Sequence, residues 1–120
     1  MTKNQSSKQY NLEERTFNFA RSVINFCKKL PKLVIEGEIA KQLARAATSV
    51  GANYIEANES LGKKDFLMRI KICRKEAKES GYWLKLLELS NPDLRQEQEM
   101  LLKESTELTR IFSSIVVKTQ

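Results

Sequence analysis

Apolar residues recur along this chain at steps of three and four, the period of a helix that buries one side. Over residues 12–30 they are Phe17, Phe19, Ala20, Val23, Ile24, Phe26, Cys27 and Leu30, about half of a helical cylinder. Asn11 is placed to cap this first helix, Glu13 and Glu14 suit its N-terminal turn, and Pro31 closes it. A second helix is predicted over 34–59 through Ile39, Leu43, Ala46, Val50, Tyr54 and Ala57. That rhythm passes without a slip through "RAATSVGANYIEAN", residues 45–58, which predicts one continuous helix whose small residues let a neighbour come close. Gly51 costs about 1 kcal/mol against Ala there, and a break at Gly51 is the competing reading.

A third helix is predicted over 63–89, after Gly62, with Phe66, Ile70, Cys73, Ala77, Ser80, Leu84 and Leu87 as its seam. Pro92 after Asn91 ends it. A fourth follows over 93–117, with Leu94, Leu101, Leu108 and Ile115 seven apart and Ile111, Phe112 and Val116 beside them. Short connections make consecutive helices antiparallel neighbours. The expected architecture is all-α, an up-and-down antiparallel four-helix bundle over 11–120, preceded by a flexible polar tail over 1–10.

Composition narrows the chemistry. The 120 residues suit one domain large enough to bury a core without staples. The chain contains no histidine, which excludes Ser-His and Cys-His nucleophile pairs, His-ligated zinc and the Glu-x-x-His half-sites of di-iron bundles. Cys27 and Cys73 lie in apolar runs and read as free core thiols of a reducing compartment. The N-terminus lacks an apolar secretion core and no run is long enough to span a bilayer, so a cytoplasmic protein of bacterial type, without membrane attachment, is expected.

The net charge of +6 gains meaning from its distribution. Lys64, Lys71, Lys78 and Lys85 recur every seven residues on the face of the third helix opposite its seam, joined by Lys75 and Tyr82 and flanked by Arg74. The row drifts slowly and extends for about 30 Å. The first helix adds Arg21, Lys28, Lys29 and Lys32. Such a ridge suits a phosphate backbone, which exchanges counterions for lysines without being read for sequence. A solvated face neutralised by pairs such as Lys75 with Glu79 is the alternative.

Two further groups stand out on the third helix. Met68, Ile72, Trp83 and Leu86 lie between seam and ridge; they either widen the core or form an apolar strip for another subunit, with Trp83 as anchor. Glu56 and Glu59, with Glu76 and Glu79, are spaced i, i+3 on adjacent helices. They could surround a divalent metal, but Arg45, Arg69, Arg74 and Lys78 are available to pair with them, and a salt-bridge network is favoured.

The elements "SVGANYIEANES" and "KKDFLMRIKICRKEAKESGYWLKLLE", with "ERTFNFARSVINFCKKLP" before them, resemble the small four-helix bundle proteins encoded in intervening sequences of bacterial large-subunit (23S) ribosomal RNA genes. The likeness covers about residues 13–90. Gly51, Asn53, Tyr54, Glu56, Asp65, Phe66, Glu76, Ala77, Tyr82 and Trp83 match the motif, mostly as packing positions, while Gly81 stands where the family often has a longer side chain. The resemblance implies a homo-oligomeric ring, commonly a pentamer, and no catalytic residues or cofactors. It also implies kinship with the accessory variability protein of diversity-generating retroelements, a basic pentameric bundle that binds nucleic acid and a reverse transcriptase.

The expected function is thus a non-enzymatic homo-oligomer that binds structured RNA or DNA through Lys64, Lys71, Arg74, Lys75, Lys78 and Lys85, with Lys28 and Lys29 helping. The alternative is a protein-interaction scaffold, for instance an accessory subunit of a reverse transcriptase, using the Trp83 strip or the fourth helix.

Overall fold

The computed structural model of the protein describes the backbone of residues 3–120 and side chains from Leu12 onward. It contains four helices: α1 (Lys3–Lys28), α2 (Val34–Asn58), α3 (Lys63–Leu86) and α4 (Pro92–Thr119). α1 begins at Lys3, so Asn11 lies inside the helix and does not cap it as expected, while the tail expected over 1–10 falls on residues that are not described in full. α2 packs on α1 and α3, α4 packs on α3 and α1, and among the described residues the diagonal pairs make no backbone contact. The antiparallel four-helix arrangement is therefore the one the apolar periodicity predicts, and α2 runs unbroken through Gly51.

Local chemistry explains where the helices stop. Lys29 and Leu30 close α1 with tightened bonds to the carbonyls of Phe26 and Cys27, just before Pro31. Asn91 caps α4 by accepting a hydrogen bond from Leu94 N–H at 3.1 Å, with Pro92 in the first turn. α3 ends at Leu86, short of the expected Leu89, because α4 supplies its cap: Gln98 Nε2 donates to the carbonyls of Leu84 at 2.7 Å and Leu87 at 2.8 Å. Leu84 O also accepts from Leu87 N–H at 3.4 Å, so Gln98 reinforces that long bond and gives Leu87 O a partner just past the helix end.

The core runs the length of the bundle, from Leu12, Phe19, Val23 and Phe26 on α1 to Leu101, Leu108, Phe112 and Val116 on α4. Full burial of each large apolar side chain contributes about 1.5–3 kcal/mol. Tyr54 and Phe112 reach across the diagonal, their rings 6.1 Å apart. α1 closes against α4 through Arg15, whose guanidinium donates to both oxygens of Glu104 at 2.7 and 2.8 Å. That bidentate pair holds Arg15 above its ordinary pKa. Two residues expected in the first helix's apolar set are not core: Phe17 is 56% and Ile24 38% exposed. An apolar arc covering half a cylinder is wider than two neighbouring helices can bury.

Two glycines set the helix spacing. A Cβ on Gly51 would lie 3.2 Å from Thr16 Oγ1 on α1, and one on Gly81 would lie 3.0 Å from Ser105 Oγ on α4. Both hydroxyls are buried and donate to their own helices, Thr16 to Glu13 O and Ser105 to Leu102 O. A small polar residue thus fits against a glycine without an unsatisfied group on either side. Gly81 belongs to α3's packing surface in the same way that Gly51 belongs to α2's.

The thiols are part of this interior. Cys73 Sγ lies 3.5 Å from Val50 O and Cys27 Sγ 3.6 Å from Ala40 O, both contacts reaching α2. Burial pushes Cys27 up to about 11 and Cys73 up to about 12. No helix among the described residues is long and apolar enough to cross a membrane.

Gly81→Leu is expected to destabilise the protein by about 1–3 kcal/mol in urea unfolding. Gly81→Ala should gain its helix-propensity benefit, up to about 1 kcal/mol, only in a Ser105→Ala background; equal effects in both backgrounds would show that the close approach is not limiting. At pH 8 the folded protein should resist iodoacetamide at both cysteines, and the unfolded chain should react at both. The thiols' raised pKa values keep their stabilising contribution intact below the ordinary value of 9.0, and it is lost as pH rises towards 11 and 12. A pH series of unfolding midpoints measures that loss, which the Cys27→Ala/Cys73→Ala variant should reduce.

Candidate nucleic-acid interface

α3 lies between α2 and α4 and buries Ile70, Cys73, Glu76, Ala77, Ser80, Gly81 and Leu84. Its opposite face is therefore outward, and Lys64, Lys71, Lys75, Lys78 and Lys85 are all exposed there, with Arg74 half-buried on the side towards α4. Among the described residues none of these six cations has a carboxylate within salt-bridge distance. Glu79, the expected intrahelical partner of Lys75, turns away to Arg45 on α2.

The two cations expected to help from the first helix do not join this ridge. α1 occupies the opposite corner of the bundle, with α2 and α4 between it and α3, so a single face over the first and third helices is not what the packing builds. Lys29 is engaged by both oxygens of Glu97 on α4, at 2.9 and 2.7 Å. Lys28 is exposed beside the α1–α2 groove.

The carboxylates gather around one arginine. Arg45 pairs with Glu79 and lies 3.8 Å from Glu76 Oε1, which is buried and has no hydrogen-bond partner. Arg69 donates instead to Asn53 Oδ1 at 3.3 Å, and Glu56 and Glu59 are exposed. The network is thus smaller than the eight charged residues offered for it. Among the described residues no three His, Cys, Asp or Glu side chains converge as a metal site would require.

The four residues of the apolar strip differ in burial. Ile72 and Trp83 are half-buried. Trp83 packs on the core, donates its indole N–H to Glu79 Oε2 at 3.2 Å and makes a T-shaped contact with Tyr82, ring centroids 5.1 Å apart. Met68 and Leu86 stay 52% and 44% exposed, so they, and not Trp83, are the open part of the strip.

A second apolar surface escaped the sequence reading. Phe17, Ala20 and Ile24 on α1 with Gly51, Ala52 and Ile55 on α2 line a groove of about 650 Å³, and Arg21 lies over the Phe17 ring at 4.9 Å. The signal was available: Phe17 and Ile24 are seven apart and well off the direction of Phe19, Val23 and Phe26.

Residues 8–114 match the family model described as 23S rRNA-intervening sequence protein. A crystal structure of a protein of unknown function from the S23 ribosomal protein family of Bacteroides thetaiotaomicron is similar to this chain at 31% identity and a TM-score of 0.77, covering 91% of this chain and 97% of that one. No curated protein matches. A family match over most of the chain, and a related structure that shares the whole bundle, identify the chain as a member of the 23S rRNA-intervening sequence protein family.

Proposed function

We propose that the protein is a non-enzymatic, self-associating bundle that binds the phosphate backbone of structured RNA or DNA through α3. The observation that carries this reading is the row Lys64, Lys71, Lys75, Lys78 and Lys85, exposed and free of carboxylate partners among the described residues. Five like charges on one helix repel one another, and a polyanion relieves that repulsion while releasing its own counterions. Lysine is a flexible point charge, suited to phosphates more than to base edges, so binding would be largely independent of sequence.

Self-association is supported by apolar surfaces of two kinds. Met68 and Leu86 project from α3, while Phe17, Ile24 and Ile55 border a groove between α1 and α2. A contact between two different patches repeats from subunit to subunit and closes into a ring when the rotation allows; the family resemblance suggests five subunits. A ring would present several ridges to one ligand and raise avidity without new contacts. The free thiols fit a reducing compartment, and we place the protein in the cytoplasm on that ground.

A second reading, a scaffold for a protein partner such as a reverse transcriptase, draws on the same α1–α2 groove. It predicts a complex that survives nuclease and high salt.

Binding of the full-length protein to a structured RNA and to a DNA duplex across a salt series tests the leading reading. Contacts to about four phosphates give a slope of log K against log salt near −4. K71E/K78E should abolish binding with circular dichroism and oligomeric mass unchanged. Wild-type-like binding by that variant would overturn the reading.

A further inference from the structure

Resting on that reading, we infer that the phosphate-binding surface continues from α3 onto α4 through Lys103 and Arg110, and that its ligand is double-stranded. α4 sorts its charges by side. Glu97 and Glu104 face α1, where they pair with Lys29 and Arg15, and Glu107 lies 3.9 Å from Arg15. Lys103 and Arg110, seven residues apart, lie opposite α4's buried row of Leu101, Ser105, Leu108 and Phe112; both are exposed and have no carboxylate partner among the described residues.

The register between α3 and α4 is pinned at two points, where Gly81 meets Ser105 and where Gln98 caps Leu84 and Leu87. Counting antiparallel from these points, Arg110 stands level with the turn that carries Arg74 and Lys78, and Lys103 with the turn from Gly81 to Lys85. Two cation rows thus run side by side on neighbouring helices, whereas Lys28 and Lys29 belong to the opposite corner. Two carboxylates border this row: Glu99, one turn before Lys103, and Glu107, one turn after Lys103 and one before Arg110, which leans towards α1 and lies 3.9 Å from Arg15.

The spacing of the rows indicates the ligand. Packed helix axes are about 8–10 Å apart, and outward-pointing side chains separate the rows further, a distance comparable to the roughly 6–12 Å widths of duplex grooves. A duplex offers two backbones to two rows, but a single strand offers one. Between the rows lie Thr106 and Thr109, which donate to the carbonyls of Leu102 and Ser105, and no aromatic platform for unstacked bases. Tyr82, the aromatic within the ridge, is exposed but makes a T-shaped contact with Trp83, and a single ring is no platform for successive bases.

The test compares three double variants of the full-length protein, each on a duplex and on either of its separated strands, over a salt series: K71E/K78E on α3, K103E/R110E on α4 and, as the α1 variant, K28E/K32E at the end of α1 and in the connection after it. The α4 variant should weaken duplex binding at least about tenfold and reduce the salt slope by about two. K103Q/R110Q should follow in the same direction, with circular dichroism unchanged. The α1 variant, which changes net charge equally, should stay close to wild type. Loss in the α3 variant alone would overturn the α4 assignment and leave the α3 reading standing; loss in neither would overturn both. Equal loss in the α1 and α4 variants would reduce the effect to net charge, and tighter binding to the single strand would overturn the duplex assignment.

Discussion

The close approach of helices at Gly51 against Thr16 and at Gly81 against Ser105 determines most of what the bundle presents to solvent. Each contact lets an outer helix settle onto the central α2–α3 pair, and each is satisfied internally because the hydroxyl bonds to its own backbone. A helix that packs closely on both flanks has little rotational freedom, so the outward direction of α3 follows from the contacts on its inner side. Its lysines are exposed because Ile70, Cys73, Ala77, Gly81 and Leu84 are buried. The same contacts leave part of α1's apolar arc, Phe17 and Ile24, without a cover inside the monomer.

Charge is sorted as clearly as hydrophobicity. Carboxylates and cations meet across the α1–α4 seam, Arg15 with Glu104 and Lys29 with Glu97, and across the α2–α3 seam at Arg45. These pairs use the acids up where helices adjoin. What remains on the α3–α4 side is mostly positive, which is why a modest net charge of +6 becomes a concentrated one. Partly exposed pairs of this kind contribute little to stability; their larger effect is to decide which surface is left unneutralised.

The helices and their order were legible because period is a property of the sequence; the rhythm favoured continuity through Gly51, and the unbroken α2 removes the competing break. The end of α3 was not, since its cap comes from Gln98 on another helix. Gly81 was noted as a departure from the family pattern, although it sits in the same relation to Ala77 and Leu84 as a packing residue does; its partner Ser105 was invisible until the two helices were placed. The α3 ridge was readable from one helix alone. Its relation to Lys28 and Lys29 depended on which helices are diagonal, and a linear charge count does not contain that information. The split of the apolar strip had the same origin, because Trp83's fate rests on Glu79 and the core around it.

The absence of histidine, with both thiols driven far above neutrality, has a consequence for regulation. Histidine is the side chain whose ordinary titration falls between about pH 5 and 8. A protein without it carries nearly constant side-chain charge across that interval, much as a strong ion-exchange resin does. Acidification of the surrounding solution would leave its surface potential almost unchanged, whereas a shift in ionic strength or in polyamine and divalent-cation levels would change how strongly that potential is felt. Its surface potential is thus more sensitive to the ionic composition of the surroundings than to their acidity.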